Sequence, residues 1–278
     1  MISFLMRRTI PRCRAYSSQT TSELTKVEVN EKTGVAVVTL NRPPVNGLNV
    51  AALRSLEKVI GDLETNKCKG LILSSSSKNI FCAGLDLTEI YKPDQEKLKS
   101  LWTAFQDLWI KLYGASFPTT AALNGHAIAG GCVLALSCDY RVMVPNSSIG
   151  LNETELGISP TAWIIASMQN VLSKRSVELA LLQGRIYKTN QALEIGLIDE
   201  IANDKDETIK KCEEFIAKYS RVQSLAFSLT KRELRGKAIS ELTSNRQGDL
   251  QFFVDSINNP SVQKFLEKYL QSLKSKKN

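Results

Sequence analysis

Two short runs of small residues and one carboxylate define the chemistry open to this chain. Asn124-Gly125-His126-Ala127-Ile128-Ala129-Gly130-Gly131-Cys132 is a small-residue turn that opens an apolar helix. The first residues of a helix carry backbone N–H groups with no acceptor inside it. About twenty residues on, Ile149-Gly150-Leu151-Asn152-Glu153 returns a carboxylate towards that point. A second small-residue turn upstream, Phe81-Cys82-Ala83-Gly84-Leu85-Asp86-Leu87, supplies another backbone donor. Two converging N–H groups form an oxyanion hole, and with one carboxylate they suffice to remove a proton next to a carbonyl. Glu155 rivals Glu153, but residues two apart share a face only in an extended strand.

Other catalytic schemes find little support. His126 is the one histidine, so any Ser-His-Asp, Cys-His or His-Glu-x-x-His arrangement would have to use it. It sits in a turn with no serine nucleophile pattern nearby and reads as a packed structural histidine. The cysteines at 13, 68, 82, 132, 138 and 212 form neither a C-x-x-C pair nor a cluster with histidine, so no metal site is expected. Cys82, Cys132 and Cys138 lie among apolar or small residues, where free cysteine acts as a small hydrophobe.

Loops far apart in the chain need a repeating scaffold to meet. Val27 and Val29, then Val35, Val37 and Thr39, alternate on either side of the turn Glu31-Lys32-Thr33-Gly34, predicting a hairpin. Val38 and Leu40 fall on the other face, so the second strand should be buried on both sides. After the loop at Arg42-Pro43-Pro44, Leu53, Leu56, Val59, Ile60 and Leu63 recur at helical spacing, capped by Asn49 and stopped near Asn66. Gly70 to Leu73 reads as a buried strand, and Trp102, Phe105, Leu108, Trp109 and Leu112 mark a second long helix. Thr119–Leu123, Gly130–Ser137 and Asp139–Val144 then predict strand, helix and strand, an alternation consistent with a spiral α/β core. Beyond Ser159 the pattern is almost wholly helical. Phe252, Phe253, Val254, Phe265, Leu266 and Tyr269 form a stripe that must pack on another subunit or on the core.

The chain has 278 residues, 43% of them hydrophobic, and a formal net charge of +8. Such a charge suggests nucleic acid until its location is checked. Arg7, Arg8, Arg12 and Arg14 precede the first acid, Glu23, so half of the excess sits in residues 1–22. That Arg- and Ser-rich, acid-free segment has the composition of a mitochondrial transit peptide, with Arg14-Ala15-Tyr16-Ser17 resembling a processing site. No apolar run approaches the ~18 residues that span a bilayer, so stable membrane insertion is not expected.

Taken in order, Asn41-Arg42-Pro43, Phe81 to Leu87, Asn124-Gly125, Gly130-Gly131-Cys132, Cys138-Asp139-Tyr140-Arg141 and Ala192 to Asp199 resemble the enoyl-CoA hydratase/isomerase (crotonase) superfamily from about residue 26 onwards. The resemblance implies an α/β spiral core of β-β-α repeats over 23–220 and a C-terminal helical oligomerisation region over 221–278. It implies a CoA thioester substrate whose carbonyl lies between the N–H groups of Leu85 and Gly130. Ala83, Gly84, Leu85, Asp86, Leu87, Gly130 and Asn152 are then substrate contacts and Glu153 is the catalytic carboxylate. No separate cofactor is implied, coenzyme A being part of the substrate. The expected assembly is a homotrimer, or a dimer of trimers, with Lys264, Lys268, Lys274, Lys276 and Lys277 near a neighbour's CoA phosphates.

Within that family, hydratases carry a second glutamate on the helix after the Gly-Gly turn, where this chain has Val133. Dienoyl isomerases add an aspartate where it has Thr161. The resemblance therefore implies a single-carboxylate 1,3-proton shift, converting 3-enoyl-CoA to 2-trans-enoyl-CoA in β-oxidation of unsaturated fatty acids in the mitochondrial matrix. A weak hydratase or thioester hydrolase, or a catalytically silent RNA-binding relative, are the alternatives. The location of the positive charge and the presence of Glu153 argue against nucleic acid.

Overall fold

The computed structural model describes residues 24–275, so the Arg-rich leader expected at 1–22 lies outside the described residues. The chain opens with the expected hairpin. β1 (Thr25–Val29) pairs antiparallel with β2 (Val35–Leu40), Val27 opposite Val38, across a turn closed by Gly34 at φ +73°. Burial of β2 is less complete than the pattern predicts, Val37 and Thr39 being only partly covered. Asn49 then accepts the Ala52 N–H and starts α1 (Val50–Thr65), which turns Leu53, Leu56, Ile60 and Leu63 into the core.

A two-strand unit is then repeated three times. The first pair is β3 (Gly70–Ser75) and β4 (Asn79–Cys82), followed by the single turn α2 (Leu87–Ile90) and the long helix α3 (Gln95–Tyr113). The second is β5 (Thr119–Leu123) and β6 (Gly125–Ile128), followed by α4 (Gly130–Ser137). The third is β7 (Tyr140–Met143) and β8 (Ser148–Gly150), followed by a 3-10 turn over Glu153–Leu156. The chain continues through α5 (Ala162–Gln169), α6 (Lys174–Leu182), β9 (Ile186–Lys188), α7 (Thr189–Glu194), β10 (Glu200–Ile201) and α8 (Lys205–Ala217). It finishes with α9 (Ser224–Ser244), α10 (Arg246–Asn258) and α11 (Pro260–Ser275).

The first strand of every unit joins one sheet and the second joins another. The larger sheet has the order β1-β2-β3-β5-β7-β10 and the smaller β4-β6-β8-β9, with β4, β6 and β8 parallel. The larger sheet is covered on both faces, which is why its central strands are continuous apolar runs and do not alternate. Ile72, Ala122 and Val142 face Cys212 and Ile216 of α8, while Leu71, Leu73, Ala121 and Leu123 face the main core with α1 and α3. The parallel strands of the smaller sheet end on one edge, immediately before residues 83–87, 129–130 and 151–153. The fold thus brings the three chemically interesting segments to one place. The smaller sheet was not legible as strands: β4 and β6 have four residues each and read as loops.

The C-terminal helices pack largely on their own core. Phe253, Val254, Ile257, Val262 and Leu266 are buried, leaving Phe252 and Tyr269 as the exposed members of the expected stripe. One carboxylate ties α10 down. Asp249 accepts Trp102 Nε1–H and Gln106 Nε2–H at 2.7 Å each, and Trp163 Nε1–H at 3.1 Å, while Phe253 stacks on Trp102 with centroids 3.8 Å apart. α9 is anchored through buried Lys231 and Arg235, both 2.8 Å from Asp139. Replacing Asp249 with alanine strands several buried donors at once. Asp249→Ala should therefore lower unfolding free energy by about 3 kcal/mol, measured by urea denaturation followed through tryptophan fluorescence.

Candidate active site

The first turn is shaped by the loop that precedes α1. Leu48 N–H donates to Gly84 O at 2.8 Å and Leu48 O accepts Asp86 N–H at 3.0 Å, a parallel bridge between Leu48 and Leu85. In such a bridge the central residue's own N–H points to the opposite side. Leu85 N–H is therefore directed away from the 42–49 loop. Gly84, at φ +93°, makes the turn that allows this.

The second turn carries the other expected donor. Ala129 adopts φ +51°, a left-handed value unusual for a residue with a side chain, and is held there from two sides. Its N–H donates to Gly150 O at 2.9 Å and its carbonyl accepts Val133 N–H at 3.0 Å, opening α4. Gly130 is the first helical residue, so its N–H has no acceptor within the helix. The two turns touch through backbone. A Cβ on Gly84 would lie 3.0 Å from Gly130 N, and one on Gly130 would lie 3.2 Å from Gly84 Cα and 3.5 Å from Leu85 N. One on Gly131 would fall 2.1 Å from Cys82 O, which no side chain tolerates.

Glu153 opens the 3-10 turn, which is fixed by Ile158 N–H to Glu153 O at 2.9 Å and by the Thr154 hydroxyl to Leu181 O at 2.6 Å. Its Oε2 is buried and has no hydrogen-bond partner. Burial pushes the Glu153 carboxyl up to about 7, its own backbone N–H offsetting only part of the effect. Burial also raises the Cys132 thiol in the first turn of α4, with a further contribution from the Glu153 charge, so the carboxylate reaches the start of that helix. Glu155 is separated from this arrangement: it is exposed and packs towards Gly184, where an added Cβ would meet its Cγ at 2.7 Å.

The remaining expected residues sort by environment. Asp86 caps α2, accepting Thr88 N–H at 3.0 Å and the Thr88 hydroxyl at 2.7 Å, and pairs with Arg42 at 2.5 Å. Burial works against its charge, but Thr88 and Arg42 outweigh it and hold the carboxyl below the ordinary aspartate value. Ala83 is exposed, Leu85, Leu87 and Asn152 are half-buried, and Val133 is buried in α4. Thr161 is buried with its hydroxyl unpartnered. His126 lies within β6 opposite Ile80. Cys82 is buried, which pushes its thiol up to about 12 and leaves it unreactive. Among the described residues no group of three or more His, Cys, Asp or Glu is placed to hold a metal, and no helix is long and apolar enough to cross a membrane. Arg42, quoted above only as part of a motif, is the residue that the sequence did not mark as belonging to this site.

A raised folded-state pKa makes the charged form of Glu153 costly. The stability it confers is fully present below the ordinary value of 4.5 and is lost as pH rises to about 7. Glu153→Gln should therefore be more stable than the parent by about 3 kcal/mol at pH 8, with the advantage gone near pH 4, as read by urea unfolding at both pH values.

Comparisons with known proteins place this chain in a family. The family model described as enoyl-CoA hydratase/isomerase matches residues 30–276. Mitochondrial enoyl-CoA delta isomerase 1 of Rattus norvegicus is 37% identical over 254 residues, covering 90% of this chain and 88% of that protein. Its Homo sapiens counterpart is 36% identical over 259 residues, covering 92% and 85%. The crystal structure of human mitochondrial delta3-delta2-enoyl-CoA isomerase superposes with a TM-score of 0.88 at 36% identity, covering 92% of this chain and all of that one. An enoyl-CoA hydratase from Bacillus halodurans, 24% identical with a TM-score of 0.79 over 88% of this chain and 99% of that one, shares the fold. The chain belongs to the enoyl-CoA hydratase/isomerase family.

Proposed function

We propose that this protein is an enoyl-CoA delta isomerase, moving the double bond of a 3-enoyl-CoA to the 2-trans position in mitochondrial β-oxidation. The observation that carries this reading is the buried, unpartnered carboxylate oxygen of Glu153, beside two backbone turns whose N–H groups are free to receive a thioester oxygen. The CoA portion runs along the backbone of Ala83 to Leu87, with Gly130 and Asn152 completing the contacts, and no further cofactor takes part.

An α-proton of a thioester is a weak acid because the enolate charge lacks a partner. In this reading Leu85 and Gly130 N–H groups take that charge, each contributing roughly 3 kcal/mol in a dry site. Glu153, near neutrality, is ionised often enough at pH 7 to remove the proton from C2 and basic enough to do so. The conjugated dienolate carries its negative charge to C4, and the protonated Glu153 returns its proton there. One carboxylate thus serves as base and then as acid. Adding water would require a second group to hold it, and Val133, buried and apolar, offers none.

The assembly in this reading is a homotrimer built through the C-terminal helices, alone or paired into a hexamer. Leu225 and Leu229, 71% and 40% exposed, lie one turn apart at the start of α9, and Val222, 45% exposed, just precedes it, an apolar patch that its own core leaves uncovered. A neighbouring copy would cover it.

Two experiments test these statements. With purified protein and 3-enoyl-CoA, Glu153→Gln should lower kcat by at least ~10²-fold while Glu155→Gln stays near the parent. The parent's kcat/KM should rise with pH and level above about 7, following the carboxylate form of Glu153. An unchanged Glu153→Gln rate, or hydration of 2-enoyl-CoA outpacing isomerisation, would overturn the reading. For the assembly, light scattering should give three or six times the protomer mass, and the double change Leu225→Asp, Leu229→Asp should reduce it to one.

A further inference from the structure

We propose that Arg42 is a positioning residue for the Leu85 donor, acting through Gly47, Leu48 and Asp86. The proposal rests on the reading of Leu85 N–H as a donor to the thioester oxygen. The direction of that N–H is set by the Leu48–Leu85 bridge, whose two hydrogen bonds engage the peptide groups on either side of Leu85. Whatever moves Leu48 relative to residues 84–86 therefore turns the donor.

The Arg42 guanidinium joins the two sides of that bridge. Nη1 donates to Gly47 O, the residue just before Leu48, at 2.8 Å, and Nη2 donates to Asp86 Oδ2, the residue just after Leu85, at 2.5 Å. The contact is close: a Cβ on Gly47 would lie 3.0 Å from Nη1. Arg42 is itself held by its backbone, its N–H donating to Asn46 Oδ1 at 2.8 Å and its carbonyl accepting Asn46 N–H at 2.8 Å. Asn46 in turn is tied to the core through Ser75 Oγ at 2.7 Å and Phe81 O at 2.9 Å. The fork therefore hangs from a buried anchor and spans both halves of the bridge. A planar guanidinium meets two acceptors at fixed geometry, whereas an ammonium is a single point charge on a flexible stem. Asp86 keeps its Thr88 partners without Arg42, so removing the arginine loosens the 47–48 side and leaves the cap of α2 in place.

Three proteins decide the matter: the parent, Arg42→Met and Arg42→Lys, each checked for folding by circular dichroism. Each is assayed with 3-enoyl-CoA and examined by infrared spectroscopy with bound hexanoyl-CoA carrying a ¹³C thioester carbonyl. Arg42→Met should lower kcat by about ten- to a hundred-fold, the scale expected for a misplacement near 1 Å, with KM within about two-fold of the parent. The bound carbonyl band, shifted to lower frequency in the parent by the two donors, should move back towards its free position. Arg42→Lys should recover part of both. Full kcat and a parent-like band in Arg42→Met would overturn the proposal. So would a rise in KM and weakened binding of free CoA at unchanged kcat, since Arg42 would then be a phosphate contact. Should Arg42→Met fail to fold, a lysine variant with parental kcat and band position overturns it equally. A parent protein whose bound carbonyl shows no shift would instead refute the donor role of Leu85 and Gly130, a separate failure.

Discussion

The contact on which the site depends is made largely by backbone. The start of α4 lies against the turn after β4 so closely that Gly131 has no room for a Cβ, and Gly84 and Gly130 have little. Backbone approach at this distance brings the Leu85 and Gly130 nitrogens near each other, as the proposed pair of donors to one oxygen requires. The same contact explains the conformation of Ala129. Its left-handed φ is held by the bond from its N–H to Gly150 O, and Gly150 ends the strand that leads to Glu153. One hydrogen bond therefore couples the second donor turn to the segment bearing the carboxylate. Strain of this kind persists where the surroundings over-determine the backbone.

Two carboxylates near the site are pushed in opposite directions by what surrounds them. Glu153 has lost water and gained no side-chain partner, so burial raises its carboxyl to about 7. Asp86, next to Leu85 in the chain, is held ionised by Thr88 and Arg42 despite its burial. The first environment suits a group that must accept and release a proton, the second a group that must stay charged and hold structure. A dry pocket also strengthens any N–H facing a developing negative charge, since the field of a dipole is less screened there.

The C-terminal helix touches both parts of the arrangement. In α11, Gln263 accepts Lys92 N–H, just beyond α2, at 2.8 Å and donates to Ile90 O, at its end, at 2.9 Å. Val262 lies against Gly157, which closes the 3-10 turn of Glu153. A helix expected to pack on another subunit or on the core folds over its own chain, with Val262 and Leu266 buried. The apolar surface left over includes Leu225, Leu229 and Leu234 of α9 and Leu182, Ile186 and Leu193 on and between α6 and α7.

Much of the molecule was legible from local patterns. The first hairpin, α1 with its Asn49 cap, the aromatic face of α3 and the apolar α4 each follow from a period of two or 3.6 and from capping chemistry, which act over a few residues. The glycines of both turns were also readable, because turn chemistry is written along the chain. What only the tertiary structure decided depends on partners distant in sequence. The strands of the smaller sheet are three or four residues long and pair across tens of positions, too short to show a period. The Arg42–Asp86 pair spans 44 positions, and nothing near either residue predicts the other. The covering of the last helices required knowing which faces the core had left open. The burial of Glu153 belongs with these: a carboxylate's identity is local, but the loss of water that raises its pKa is a property of everything packed around it.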